Sequence, residues 1–168
     1  NTPHEEGTSF YHTPEDLKPY LLQRSERATY VAMIDWDRYD LDDLPECDGQ
    51  TLDAIRVVFP HGKHTEGIAV GEQIAEKGYR VFFQAANTLA YSDDDLVELA
   101  EEVNRVHPVA LSVVDTFGAM YNEDLERIVK ILDQKLEADI KLGFHSHNNQ
   151  QLSFALSMHF TELLAQTG

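Results

Sequence analysis

Five short apolar runs, each separated from the next by a longer polar or amphipathic stretch, leave this chain few folds to adopt. The runs are Tyr30 to Ile34, Ile55 to Phe59, Arg80 to Gln84, Ala110 to Val114 and Ile140 to Phe144. Most are rich in β-branched or aromatic residues. Several are continuous rather than alternating, the pattern expected of strands covered on both faces.

The intervening segments carry helix punctuation. Thr13-Pro14-Glu15-Asp16 supplies an N-cap, a proline at the first helical position and acids in the first turn. The stretch from His64 to Lys77 ends at Gly78, a residue suited to a left-handed C-cap. Ser92 to Asp95 opens a helix with Leu96, Leu99, Ala100 and Val103 on one face. Asn122 is placed to cap the next, whose stripe is Leu125, Ile128, Val129 and Leu132, and a last helix spans Gln151 to Ala165. Strand and helix units repeating at about 25 to 30 residues predict a parallel α/β sheet with right-handed crossovers. Periodicity is equally compatible with an open flavodoxin-like sheet and a closed barrel. Neither a Gly-x-Gly-x-x-Gly turn nor a P-loop occurs, so a nucleotide-binding version has little support.

No linker or composition shift divides residues 1–168, which read as a single domain. A formal net charge of −17 would repel phosphate backbones and anionic lipid, arguing against nucleic-acid and membrane-surface partners. Cys47 is the single cysteine, so no intrachain disulfide can form. With no apolar run near the roughly 20 residues of a membrane span and no secretory leader pattern, the expected compartment is the cytoplasm.

The polar residues collect after the apolar runs. Asp35 and Asp37 follow the first, His61 and His64 the second, Gln84 and Asn87 the third, Asp115 and Thr116 the fourth, and His145 to Gln150 the fifth. In parallel α/β folds the carboxyl ends of the strands carry the active site, so these side chains would share one rim. His145 and His147 are two apart on a strand and so point to the same face, where two imidazoles can share a cation. Eight histidines in 168 residues produce about 0.4 such His-x-His pairs by chance, so position rather than spacing carries the reading. His61 and His64 read instead as loop residues in solvent or against substrate, and Asp35 and Asp37 as solvated acids. The carboxylates around Cys47 argue against a nucleophilic thiol.

Ser112 to Gly118, with its Asp-Thr-Phe-Gly end, resembles the sixth strand of the HMG-CoA-lyase-like metalloenzymes, and Gly143 to Asn149, with His-Ser-His-Asn, resembles the seventh. The resemblance implies a partial (β/α)₈ TIM barrel, about strands 3 to 7, making residues 1–168 an internal fragment in which Asn1 to Ser9 match a loop. It implies metal ligands at His145 and His147, site-lining positions at Asp115 and Thr116, and substrate or ligand contacts from Asn149 and Gln84. The cofactor implied is a divalent metal, Mn²⁺ or Mg²⁺ ahead of Zn²⁺. The family's third ligand, an Asp in an Asp-x-x-Leu-Arg-Asp-Gly motif beside a catalytic Arg, has no counterpart in this stretch. The general base is likewise unassigned.

Val114 stands where the carboxyltransferase branch carries a Lys, and His-Ser-His-Asn-Asn is nearer the 4-hydroxy-2-oxovalerate aldolases than the synthases. The function implied is a metal-dependent carbon–carbon lyase (aldolase) on a 2-oxo acid, such as a 4-hydroxy-2-oxo acid, active once the missing first strand is supplied. Homodimer pairing is also implied. The alternatives are an acyl-CoA condensing synthase of the isopropylmalate or homocitrate type and a non-catalytic metal-binding or interaction module.

Overall fold

The computed structural model describes residues 5, 7–21 and 23–167, so the expected loop at Asn1 to Ser9 falls partly outside it. Five strands form one sheet: β1 (Val31–Asp35), β2 (Ala54–Pro60), β3 (Arg80–Ala86), β4 (Ala110–Asp115) and β5 (Lys141–Ser146). Every pairing is parallel and the spatial order is β1-β2-β3-β4-β5. This order settles what periodicity left open. Crossovers that always step to the next strand with one hand place every helix on the same face, which is barrel geometry. A flavodoxin-like sheet would reverse direction and cover both faces. The chain is therefore a partial TIM barrel.

The covering helices are α1 (His64–Glu76), α2 (Asp93–Val106), α3 (Asn122–Lys135) and α4 (Ser153–Thr167). Ser92 caps α2 in a box with Asp95, whose backbone N–H donates to Ser92 Oγ at 3.2 Å. The α3 cap lies one residue earlier than expected. Tyr121 occupies it, and the Asp124 carboxylate accepts from the Tyr121 N–H at 3.0 Å. Pro14–Tyr20 forms a 3₁₀ rather than an α-helix, with Pro19 inside it removing a donor.

The core lies between the sheet and these helices. Ile55, Val57 and Phe59 of β2, Val81, Phe83 and Ala85 of β3, and Leu111 and Val113 of β4 are all buried there. They meet Ile68 and Ile74 of α1, Leu96, Leu99 and Val103 of α2, and Leu125, Ile128 and Leu132 of α3. Helix α1 lies very close to the sheet. A methyl at Gly71 would fall 2.3 Å from a Phe83 ring carbon, and one at Gly67 equally close to Phe59. Gly71→Ala is accordingly expected to cost about 1–3 kcal/mol by overpacking, read as a lower urea midpoint with an unchanged slope.

The opposite face is the barrel interior, and its side chains are more open. Met33 keeps 60% of its surface, whereas Phe59 on the helix face keeps none. Among the described residues, no helix is long and apolar enough to cross a membrane.

Candidate functional site

Strand alternation and register select the interior residues. Asp35, Val58, Gln84, Ser112 and Gly143 align across the five strands in one row. His145, paired with Val114, comes two residues further along β5 on the same face. The imidazoles of His145 and His147 lie 5.0 Å apart between ring centroids and nearly perpendicular, at 84°.

Each ring is held through its Nδ1. His147 Nδ1 donates to the Thr116 carbonyl oxygen at 2.5 Å. His145 Nδ1 is 3.4 Å from Gln84 Oε1, an atom that can only accept. Gln84 is in turn fixed by donating from Nε2 to Ser112 Oγ at 2.7 Å. Both histidines are thereby poised with Nε2 as the lone-pair nitrogen, the arrangement by which outer partners orient metal-ligating imidazoles. The donor set fits a divalent cation, with two imidazole nitrogens beside an open interior.

Gln84, expected from the resemblance to touch substrate, is 4% exposed and engaged with Ser112 and His145. Gly143 makes the link possible, since a methyl there would approach Ser112 Oγ to 2.7 Å. Asp115 was expected to line the site. Its carboxylate instead accepts from the N–H groups of Ala119 at 2.9 Å and Met120 at 3.3 Å, binding the turn after β4. It alternates with Val114 and so lies on the opposite side of the strand from the His145 row. Thr116 meets the site through its carbonyl, and its Oγ1 accepts from Asn87 N–H at 2.7 Å. Asn149 is exposed and packs against Gly118.

The two loops carrying these residues are clasped together. His147 N–H donates to the Asp115 carbonyl and Gln150 N–H to the Gly118 carbonyl, both at 3.3 Å. The Asp-Thr-Phe-Gly and His-Ser-His-Asn segments thus act as one unit.

Arg56 was missed at the sequence level. It projects from β2 into the interior, its Nε is shielded from solvent without a partner, and its charge bears on His145. A lone arginine in the run Ala-Ile-Arg-Val-Val-Phe was the available signal. Burial above all, then the charges of His147 and Arg56, hold the His145 imidazole below its ordinary pKa of 6.5. The unfolded chain therefore takes up this proton first. The stability contributed is complete above about pH 6.5 and falls away as pH drops below it. Metal-free protein should show a falling urea midpoint from pH 7 to 5.5, with a shallower fall in His145→Gln; equal slopes would contradict this.

Elsewhere, two groups of three metal-competent side chains occur among the described residues, His64–Glu98–Glu102 and His107–Glu137–Asp139. The pair His61 and His64 is split, with His61 Nε2 3.4 Å from Asp95 Oδ2.

No family model matches the chain. A curated oxaloacetate decarboxylase from Mycobacterium tuberculosis is 28% identical over 107 residues, covering 64% of this chain and 31% of that protein. Among solved structures, the N-terminal domain of a putative aldolase from Bacteroides vulgatus aligns with a TM-score of 0.75 at 19% identity, over 96% of this chain and 55% of that one. HMG-CoA lyase from Bacillus subtilis aligns with a TM-score of 0.65 at 17% identity, over 87% of this chain and 53% of that one. The chain spans about half the length of these structures and about a third of the curated relative. At these identities the likeness is one of architecture alone, and the chain shares the parallel β/α barrel fold of these structures, represented by five consecutive strands.

Proposed function

We propose that this chain is part of a divalent-metal-dependent carbon–carbon lyase acting on a 2-oxo acid, with His145 and His147 as two of the metal ligands. The observation that carries the reading is the pair of imidazoles fixed through Nδ1 by Thr116 and Gln84, with both Nε2 atoms free on the barrel interior. Mn²⁺ or Mg²⁺ would supply Lewis-acid stabilisation of the charge developing on the 2-oxo oxygen. In this reading Gln84 and Ser112 orient His145, Arg56 adds positive charge at the interior for an anionic substrate, and Asn149 contacts substrate at the rim. A further ligand and the proton-transfer group come from the remaining strands of the barrel.

The curated relative supports a closely related second reading. Oxaloacetate decarboxylase, by its name, removes carbon dioxide from a 2-oxo acid. Retro-aldol cleavage of a 4-hydroxy-2-oxo acid breaks the corresponding bond, and both reactions leave the enolate of pyruvate. Electrostatic stabilisation at the 2-oxo group serves either. The departing group distinguishes them, an aldehyde in one case and carbon dioxide in the other.

The test is pyruvate release by the full-length protein with Mn²⁺, using 4-hydroxy-2-oxopentanoate and oxaloacetate as alternative substrates. Metal-dependent release from the first, abolished by a chelator and restored by Mn²⁺, is the expected result. Release from oxaloacetate alone would favour the decarboxylase. Turnover unaffected by the chelator, or none with either compound, would overturn the lyase reading.

A further inference from the structure

On the outer face of the barrel, where α1 meets α2, His64, Glu98 and Glu102 each place a ligand atom within 4.8 Å of the others. His64 is the first residue of α1, and the two glutamates are one turn apart on α2. Side chains at that spacing project from the same side of a helix. The sequence shows Glu-x-x-x-Glu on α2, but the partnership with a histidine 34 residues from Glu98 exists only in the fold.

A second observation stands apart from this proximity. Both ring nitrogens of His64 are closed to solvent and lack a hydrogen-bond partner, and Oε2 of Glu102 is in the same condition. The other oxygen, Oε1, accepts from Thr65 Oγ1 at 3.1 Å, which leaves Oε2 as the uncommitted atom. Buried polar atoms without partners are uncommon, and a shared partner in this group would satisfy Glu102 Oε2 together with one of the two His64 nitrogens. Glu98 is exposed and opens the group to solvent on one side, while the Tyr91 ring, 6.4 Å from that of His64, flanks it on another.

We propose that His64, Glu98 and Glu102 form a second divalent-cation site, suited to Zn²⁺, that ties α1 to α2 outside the barrel. One imidazole nitrogen and two carboxylates match a borderline cation better than one requiring all-oxygen coordination. The two carboxylate charges are balanced by one dication, and the orphaned His64 nitrogen and Glu102 Oε2 gain a common partner. A cation bound there holds two helices that cover neighbouring strands, so it stabilises the native state without entering the interior. The site is separate from the His145–His147 pair, and neither proposal depends on the other.

The test uses the chain with His145→Ala and His147→Ala, which removes the interior imidazoles, titrated with Zn²⁺ by calorimetry. One equivalent is expected to bind and to raise the thermal midpoint. Adding Glu98→Gln, a near-isosteric change at an exposed position, should weaken that binding at least tenfold. Glu137→Gln in the exposed His107 group should leave it unchanged. Should the double variant fail to fold, the otherwise unaltered chain is compared with its Glu98→Gln/Glu102→Gln form. That form is expected to hold one equivalent fewer of Zn²⁺. The proposal is overturned if the folded double variant takes up no Zn²⁺. It is equally overturned if uptake survives the glutamate substitutions or disappears with Glu137→Gln.

Discussion

Gly118→Ala is expected to lower stability by about 2–4 kcal/mol and to weaken the proposed metal binding at the barrel mouth, although Gly118 has no side chain to contribute. Its φ of +59° is left-handed, a conformation in which a Cβ costs about 1 kcal/mol. The larger difficulty is space. The new methyl would lie 2.5 Å from the Asn149 backbone nitrogen and 2.9 Å from both Asn149 Cβ and the His147 carbonyl oxygen. Two of these three atoms are backbone and cannot rotate away. Relief requires the loop after β4 to separate from the loop after β5, breaking the contacts from His147 and Gln150 that join them. His147 would then lose its fixed distance from the Thr116 carbonyl that orients its ring. Urea denaturation and Mn²⁺ titration on the same protein read the two effects. A variant with an unchanged midpoint would show that the loops are not mutually constrained.

His145→Ala is expected to weaken binding of a divalent cation at the mouth by on the order of 100-fold or more, since it deletes a proposed ligand outright. Gln84→Leu is the more discriminating change. It leaves both histidines but removes the acceptor facing His145 Nδ1, and loss of such an orienting partner typically costs about 10–100-fold in metal affinity. The Ser112 hydroxyl, which now accepts from Gln84, would lose that donor as well. A graded series, with wild type tightest, Gln84→Leu intermediate and His145→Ala weakest, supports the assignment. Equal affinities across the three would place the cation elsewhere on the chain. Titrations are best made in the Glu98→Gln background, so that the outer group does not contribute.

Much of the rim was legible because it depends on local rules. A parallel strand ends in a loop, and Thr116, His145 and His147, at or just past the strand ends, could be assigned to one edge of the sheet from the apolar runs before them. Gln84 was also assigned to that edge, but its partners were not readable. Whether a buried amide meets substrate or a neighbouring histidine depends on which residue stands across from it on the next strands. For Gln84 these are Val58 and Ser112, residues 26 and 28 positions away in the chain. Asp115 illustrates the same limit. Its position after an apolar run suggested a place in the site, while strand alternation and two turn N–H groups direct its carboxylate elsewhere. Arg56 was hidden for the opposite reason, since a single charge within an apolar strand belongs to no motif.

By itself, the sequence determined the five strands, the helices between them and the parallel class of the sheet. Apolar periodicity and helix capping act over a few residues, and their physics is complete at that range. Only the tertiary structure decided that the strands run in sequential order with all helices on one face. It also decided that the loops after β4 and β5 clasp through Gly118, and that His64 turns from His61 toward Glu98 and Glu102. Each of these is a packing outcome between segments far apart in the chain. Strand order, close backbone approach and the pairing of buried polar atoms are set by which surfaces exclude water together, a property no single stretch of sequence contains.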